Sequence, residues 1–420
     1  MVSWRREWEL VDESVYRARR TDERLWQQAR QWGVSRRRLL QGLVAGGGAA
    51  LMFGGVPAGH AQGAPPATVQ ELVVKPTPPE RFFDYGTNKE MRWESMYGRG
   101  YVVPNDLFFV RNHTRTPRLD AATWRLSVTG AGLERALELT YEDILAMPSH
   151  SVMRYVECAG NGRSLFETAY GKKAQGTQWK LGAIGVAEWT GVQLSTILDH
   201  AGLKRTARDI MAEGLDDLKV RRPISVTKAL AEDTLLVYAM NGDPLPPDHG
   251  FPIRLLTPGW IGVSNIKWLG RLEVSEEPLF SPWNTETYVL LGPDYQPNPP
   301  ANGPILSTQN PKSALELAQG AQLRAGLLLI KGRSWSPFGK IARVAYSLDQ
   351  GQTWQQARLR EPNIAGAWVR WDFPWEAKPG QYTITVKAVD TAGNTQPDSV
   401  PWNDQGYLYN AAVHHAVTVA

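Results

Sequence analysis

One stretch of this 420-residue chain holds the side chains best suited to chemistry: Arg154-Tyr155-Val156-Glu157-Cys158-Ala159-Gly160-Asn161-Gly162-Arg163-Ser164, with the only cysteine of the sequence at its centre. A thiolate with Arg154 and Arg163 close in sequence is favoured by positive charge and can serve as a nucleophile or a soft metal ligand. The same residue type is also a small hydrophobe that packs into cores without reacting, so the cysteine by itself leaves both readings open. Its placement is more definite. Polar and apolar side chains alternate from His150 to Glu157, which predicts a strand. The small residues from Ala159 to Gly162 then predict a sharp loop, which puts the sulfur at the strand end.

A single cysteine forms no intrachain disulfide, no four-cysteine zinc site and no iron–sulfur cluster. No Cys-x-x-Cys-His occurs, and neither a glycine-rich dinucleotide fingerprint nor a phosphate loop follows any predicted strand, so neither haem nor flavin is expected and any redox group must be held some other way. Lys and Arg number 46 against 42 Asp and Glu, and much of the basic excess lies before residue 40, so no nucleic-acid partner is expected. The length suggests two or three domains. With 17 tryptophans, 29 prolines and 42% apolar residues, the composition suits a rigid, loop-rich, largely β protein with sizeable cores.

In chain order, residues 1–61 read as a leader. Trp4, Trp8, Val11 and Val15 fall at helical spacing, then Ser35-Arg36-Arg37-Arg38-Leu39-Leu40 matches the twin-arginine pattern. A glycine-interrupted apolar run follows, too weakly hydrophobic for a membrane span, and Gly59-His60-Ala61 offers a small-residue cleavage site. Export of the folded protein to the periplasm, with any cofactor inserted beforehand, is the expectation. Residues 62–79 read as a Pro-rich linker and 80–277 as a mixed α+β domain. Within the latter, Trp124 to Thr129 predicts a strand and Thr140-Tyr141-Glu142-Asp143 a capped helix ending near Pro148. Thr190-Gly191-Val192-Gln193 predicts the start of another helix that ends at Gly202, and Leu235 to Met240 a strand meeting an Asn241-Gly242 turn. Residues 278–310 read as an extended crossover and 311–420 as an all-β, immunoglobulin-like sandwich. In that last region Arg343 to Leu348 and Trp354 to Leu359 predict a hairpin, and Tyr382 to Val389 a further strand.

Glu157-Cys158-Ala159-Gly160-Asn161-Gly162-Arg163-Ser164 resembles the cysteine loop of the sulfite oxidase family of molybdenum enzymes. The likeness covers roughly residues 80–420. It runs through Phe109-Val110-Arg111-Asn112-His113, Trp179, Ala187-Glu188-Trp189-Thr190-Gly191-Val192, and Asn241-Gly242-Asp243-Pro244-Leu245-Pro246. It continues in Asp248-His249-Gly250-Phe251-Pro252-Ile253-Arg254 and Lys267-Trp268-Leu269-Gly270-Arg271, and reaches Trp402-Asn403 and Gly406. The resemblance implies a molybdenum cofactor, with Cys158 as the protein ligand of the metal and Asn112, His113, His249, Arg254, Ser264 and Lys267 holding the pterin and its phosphate. It implies that Arg111 and Arg163 bind a small sulfur oxyanion, that Trp179 belongs to the substrate pocket, and that the last domain joins two copies into a homodimer. The implied reaction is oxygen-atom transfer, most simply sulfite to sulfate, with electrons leaving to a separate acceptor such as cytochrome c.

Two positions depart from the family pattern. Lys219-Val220-Arg221-Arg222-Pro223 lacks the tyrosine that the animal members carry there, and Gln405 stands where they have an arginine. Arg221 or Arg222 could refill the missing charge. The alternatives are a sulfane- or thiosulfate-type dehydrogenase or a sulfoxide reductase of the same family and, in a different class, a non-catalytic exported binding protein with a structural Cys158.

Overall fold

The computed structural model describes residues 72–420, so the leader, the twin-arginine pattern and residues 62–71 of the linker lie outside the described residues. Two five-stranded sheets occupy the first part. In one, Leu235–Met240 lies between Ile184–Gln193 and the short strands Asp243–Pro244 and Arg254–Leu256, and His150–Glu157 forms the far edge. All six residues of Leu235–Met240 are buried, as a strand covered on both faces should be. Its side chains divide between two cores, alternating from Leu235 to Tyr238 and out of step beyond it: Leu235, Val237 and Met240 pack with Val156, Cys158 and Trp189, whereas Leu236, Tyr238 and Ala239 pack with Ile197, Leu198 and Leu255. Asn241 and Gly242, both at positive φ, turn the chain tightly into Asp243–Pro244.

The second sheet runs Leu137–Thr140, Arg125–Thr129, Leu269–Ser275, Asp209–Gly214, Arg221–Ser225, with one parallel pair, Leu269–Ser275 beside Arg125–Thr129. The capped helix is present as Tyr141–Ala146, with the Thr140 and Asp143 side chains capping each other's backbone N–H groups. The second helix starts later than the sequence pattern suggests. Thr190 to Gln193 continue a strand, the Thr190 hydroxyl bonds Ser151 across the sheet at 2.7 Å, and only Leu194–Ala201 is helical. Pairing with Leu235–Met240 overrides the local capping signal. Gly191 sits at a register shift where a Cβ would come within 2.2 Å of the Leu236 carbonyl oxygen.

Residues 312–419 form two further sheets, and together they make an all-β unit. One runs Lys312–Leu315, Gly326–Trp335, Trp368–Ala377, Arg358–Arg360; the other runs Ala321–Leu323, His414–Val419, Gly380–Asp390, Ile341–Ser347, Gln355–Gln356. The expected hairpin is realised for two residues only. Gln355–Gln356 pairs with Ala345 and Tyr346, after which Arg358–Arg360 crosses to the other sheet and both arginines bind Asp372. The crossover contains one helical turn, Pro282–Thr285, and isolated bridges.

Candidate functional site

Strand His150–Glu157 delivers Cys158 to the wall of a cleft of about 690 Å³, open mouth included. The thiol is buried, and its backbone is fixed by the Cys158 N–H donating to the Ala183 carbonyl at 3.0 Å and by the Asn161 N–H donating to the Cys158 carbonyl at 2.9 Å. Gly262 allows a second turn to press against this loop, since a Cβ there would come within 2.8 Å of the Glu157 carbonyl oxygen.

Arg111, Asn112 and His113 line the same cleft from the segment after Val110, which bridges to Lys89. His249, Arg254 and Lys267 face it from three neighbouring turns and strands. Gly250, at φ +114, makes that packing possible because a Cβ would meet Arg254 and Lys267 at 3.0 to 3.1 Å. Arg254 donates to the His249 and Asn265 carbonyls at 3.1 and 3.2 Å, and the Lys267 ammonium donates to the Asp248 carbonyl at 2.8 Å and to the Asn112 side chain.

The electrostatics of this wall are those of an anion site. Burial, followed by the Arg254 charge, pushes Lys267 well below the usual lysine range. Burial also lowers Arg254. His113 is held well below the ordinary imidazole value by burial and then by the Arg111 and Lys267 charges, and His249 by burial and then by Lys75, Lys267 and Arg254. Buried donors also lack partners: Arg111 Nη1, His249 Nε2, Arg254 Nε and the Ser264 hydroxyl. Buried polar groups are ordinarily satisfied, and crowded cations require a counter-anion. A phosphate-bearing group fits both needs. Among the described residues no three His, Cys, Asp or Glu side chains converge to form a metal site from protein ligands alone. A metal bound to Cys158 therefore needs further ligands, which a dithiolene-bearing cofactor brings.

The other expected site residues lie behind this wall. Arg163 does not line the cleft. It lies under the cysteine loop, donates to the Gln405 and Thr177 carbonyls at 2.7 Å each, and places its guanidinium 5.1 Å from the Tyr407 ring centroid. A Cβ at Gly160 would come within 2.4 Å of that guanidinium. Trp179 is also outside the lining, buried with Tyr85 and edge-on to Phe109, which does line the cleft. Ser264 sits between the lining residues Val263 and Asn265. Of the two candidate replacement cations, Arg221 is exposed and lies 3.8 Å from Glu213, whereas Arg222 is buried and donates to the Trp283 and Leu306 carbonyls beside Tyr288. Gln405 directs its amide nitrogen to the Glu286 carbonyl at 3.1 Å, away from any cationic role.

Two cleft residues escape the motif reading. Asp216 lines the cleft, with its carboxyl raised by burial and its Oδ1 accepting from the Val220 N–H at 3.0 Å. Tyr288, from the crossover, accepts from Arg111 Nη2 at 3.1 Å, lies 3.1 Å from His113 Nε2, and stacks on Tyr407 with centroids 5.2 Å apart. Burial holds its phenol protonated, and Arg111, Cys158, Arg163 and Arg222 all act on it. A phenol thus stands in the cleft although residues 219–223 hold no tyrosine. Tyr288→Phe frees Arg111 from its anchor, so the KM for an anionic substrate is expected to rise about tenfold, the equivalent of one lost hydrogen bond to a charged group. Steady-state kinetics that leave KM unchanged would show that Arg111 is aimed by other contacts.

Residues 113–283 match the family model for the oxidoreductase molybdopterin binding domain, and residues 304–420 that for the Mo-co oxidoreductase dimerisation domain. The chain is 38% identical over 331 residues to mitochondrial sulfite oxidase of Homo sapiens, covering 74% of this chain and 60% of that protein. It is 36% identical over 332 residues to sulfite oxidase of Gallus gallus, with 74% and 72% covered. The structure superposes on the sulfane dehydrogenase SoxCD from Paracoccus pantotrophus with a TM-score of 0.70 at 26% identity, covering 88% of this chain and 94% of that one. The chain therefore belongs to the sulfite oxidase family of molybdopterin oxidoreductases. Its match spans 60% of the length of the mammalian relatives.

Proposed function

We propose that this protein is a molybdenum-cofactor oxidoreductase that transfers an oxygen atom to the sulfur of a small oxyanion, with sulfite going to sulfate. The observation that carries the reading is the placement of the Cys158 thiol on the wall of a cleft that it shares with Arg111, Arg254 and Lys267, with the Arg111 Nη1, Arg254 Nε and His249 Nε2 atoms buried and unpartnered. When bound, the cofactor supplies a two-electron redox centre able to exchange an oxygen atom. Cys158 would hold its metal. Arg254, Lys267, His249 and Ser264 would hold its pterin phosphate through charge-assisted hydrogen bonds.

Arg111 and Tyr288 form the anion cradle. The unpartnered Arg111 Nη1 remains free to bind the substrate while Nη2 is fixed on the phenol. Fixed positive charge in the cradle binds and orients the anionic substrate through charge-assisted hydrogen bonds. Arg163 and Arg222 add to that field from behind Tyr407 and Tyr288. Electrons then pass to a separate acceptor of the cytochrome c type. The twin-arginine pattern supports a periplasmic location, and the match to a dimerisation domain supports a homodimer formed through residues 311–420.

A second reading, oxidation of a sulfane sulfur, is favoured by the likeness to the sulfane dehydrogenase over nearly the whole length of both chains and by the two departures in the cradle. The experiment is metal analysis followed by turnover of the holoprotein with sulfite, thiosulfate and a carrier-bound sulfane, using cytochrome c as acceptor. About one molybdenum per chain and the highest kcat/KM for sulfite are expected. A preference for the sulfane would replace the substrate assignment, and absence of molybdenum after expression in a molybdenum-replete host would support a binding protein instead.

A further inference from the structure

Glu157, the residue before the cysteine, is wholly buried. One carboxylate oxygen accepts from Lys312 Nζ at 2.6 Å and Asn161 Nδ2 at 2.9 Å, and the other accepts from Trp335 Nε1 at 2.9 Å. Its backbone carbonyl accepts from Gln309 Nε2 at 2.8 Å. Lys312 also donates to the Asn161 carbonyl at 3.2 Å, and the Asn161 side-chain oxygen accepts from the Ala183 N–H at 3.0 Å. The loop that carries the sulfur is therefore tied at both ends. The charged tie and the indole tie come from outside its own sheet, since Lys312 and Trp335 are direct partners across two adjacent strands of the C-terminal all-β unit.

A buried ion pair contributes little net stability compared with a well-packed apolar pair, because both charges lose their hydration. Stability alone gives no reason for a lysine and a glutamate here. Geometry does: a carboxylate that accepts three side-chain donors from fixed directions has no freedom to rotate, and the adjoining Cα of Cys158 is fixed with it. Partners that orient a metal ligand from behind tune the bond that the ligand makes.

We propose that Lys312 is a positioning residue for the Cys158 thiol, so that the C-terminal all-β unit sets the orientation of the sulfur by holding Glu157. This rests on the reading of Cys158 as the metal's protein ligand. Lys312→Met alone leaves a buried carboxylate unpaired and is expected to destabilise the fold. The decisive variant is therefore Glu157→Gln combined with Lys312→Met, which removes both charges and keeps an acceptor for Trp335.

The holoprotein of the double variant is expected to unfold at close to the wild-type temperature and to retain molybdenum. Its thiolate-to-metal charge-transfer absorption is expected to shift, and kcat to fall about 10- to 100-fold, the usual effect of altering a ligand's supporting partner, while KM changes little. A wild-type absorption spectrum and kcat in the double variant would overturn the proposal. So would failure of that variant to fold or to take up metal, which would make the bridge a folding element. Wild-type holoprotein measured alongside by X-ray absorption separates the two ideas: no sulfur bond from the protein to the metal would remove the reading of Cys158 itself, whereas a normal bond with no change in the variant removes only the role of Lys312.

Discussion

Cys158→Ser is expected to fold, to retain the pterin and to lose turnover by more than about 100-fold, beyond what disturbing a supporting partner of a metal ligand usually costs. The fold should survive because the substitution is nearly isosteric and because the Cys158 backbone bonds to Ala183 and Asn161 do not involve the sulfur. Pterin should be retained because the wall of His249, Arg254 and Lys267 is built on other turns and strands. Turnover should fail because a hydroxyl oxygen is a harder and less electron-donating ligand than a thiolate, which changes the redox centre itself. The measurements are pterin fluorescence after denaturation, molybdenum content, the number of sulfur neighbours by X-ray absorption, and kcat. An unchanged number of sulfur neighbours at the metal, together with near-normal turnover, would end the assignment of Cys158 as the metal's ligand.

His150–Glu157 occupies the predicted span, although its burial does not alternate but deepens from exposed His150 and Ser151 to buried Tyr155, Val156 and Glu157, because the strand runs from the surface into the core that holds Cys158. Leu235–Met240 and its Asn241-Gly242 turn were legible as a continuous apolar run stopped by two residues that tolerate positive φ. What escaped depends on long-range contacts. Thr190 to Gln193 carry a helix-opening signal that strand pairing overrides, and Trp354 to Leu359 divide between two sheets because Asp372 draws Arg358 and Arg360 across. Tyr288 sits in a proline-rich crossover with no periodicity to give it a face, at a φ of +55, so its approach to Arg111 and His113 could not be read from spacing. Glu157 and Lys312 are 155 residues apart. The motif residues Arg111, His113, His249, Arg254 and Lys267 all line one cleft, but their order along the chain does not distinguish side chains in the wall from those behind it, such as Arg163 and Trp179.

Lys267→Met is expected to shift stability and cofactor retention in opposite directions, whereas Arg254→Met is expected to lower both. In the cofactor-free chain Lys267 is buried against the Arg254 charge, and both effects hold its pKa well below the ordinary 10.5. Between that lowered value and 10.5 the unfolded chain binds a proton that the folded chain does not, so the stability of the cofactor-free form rises with pH through this window. Removing the ammonium removes that slope and relieves a buried repulsion, so the melting temperature of cofactor-free Lys267→Met should rise below the window or at least not fall. The loaded protein should respond the other way. A phosphate dianion needs the charge that burial disfavours, and each lost charge-assisted hydrogen bond is worth about 1.5 to 3 kcal/mol, or about 10- to 150-fold in affinity. Arg254 also donates to the His249 and Asn265 carbonyls, so Arg254→Met should loosen two turns as well and show the larger loss of pterin. Molybdenum and pterin remaining per chain after dialysis, set beside thermal unfolding of the cofactor-free variants across pH, test both signs. A loaded Lys267→Met that keeps its full complement of pterin would show that the buried ammonium does not hold the phosphate.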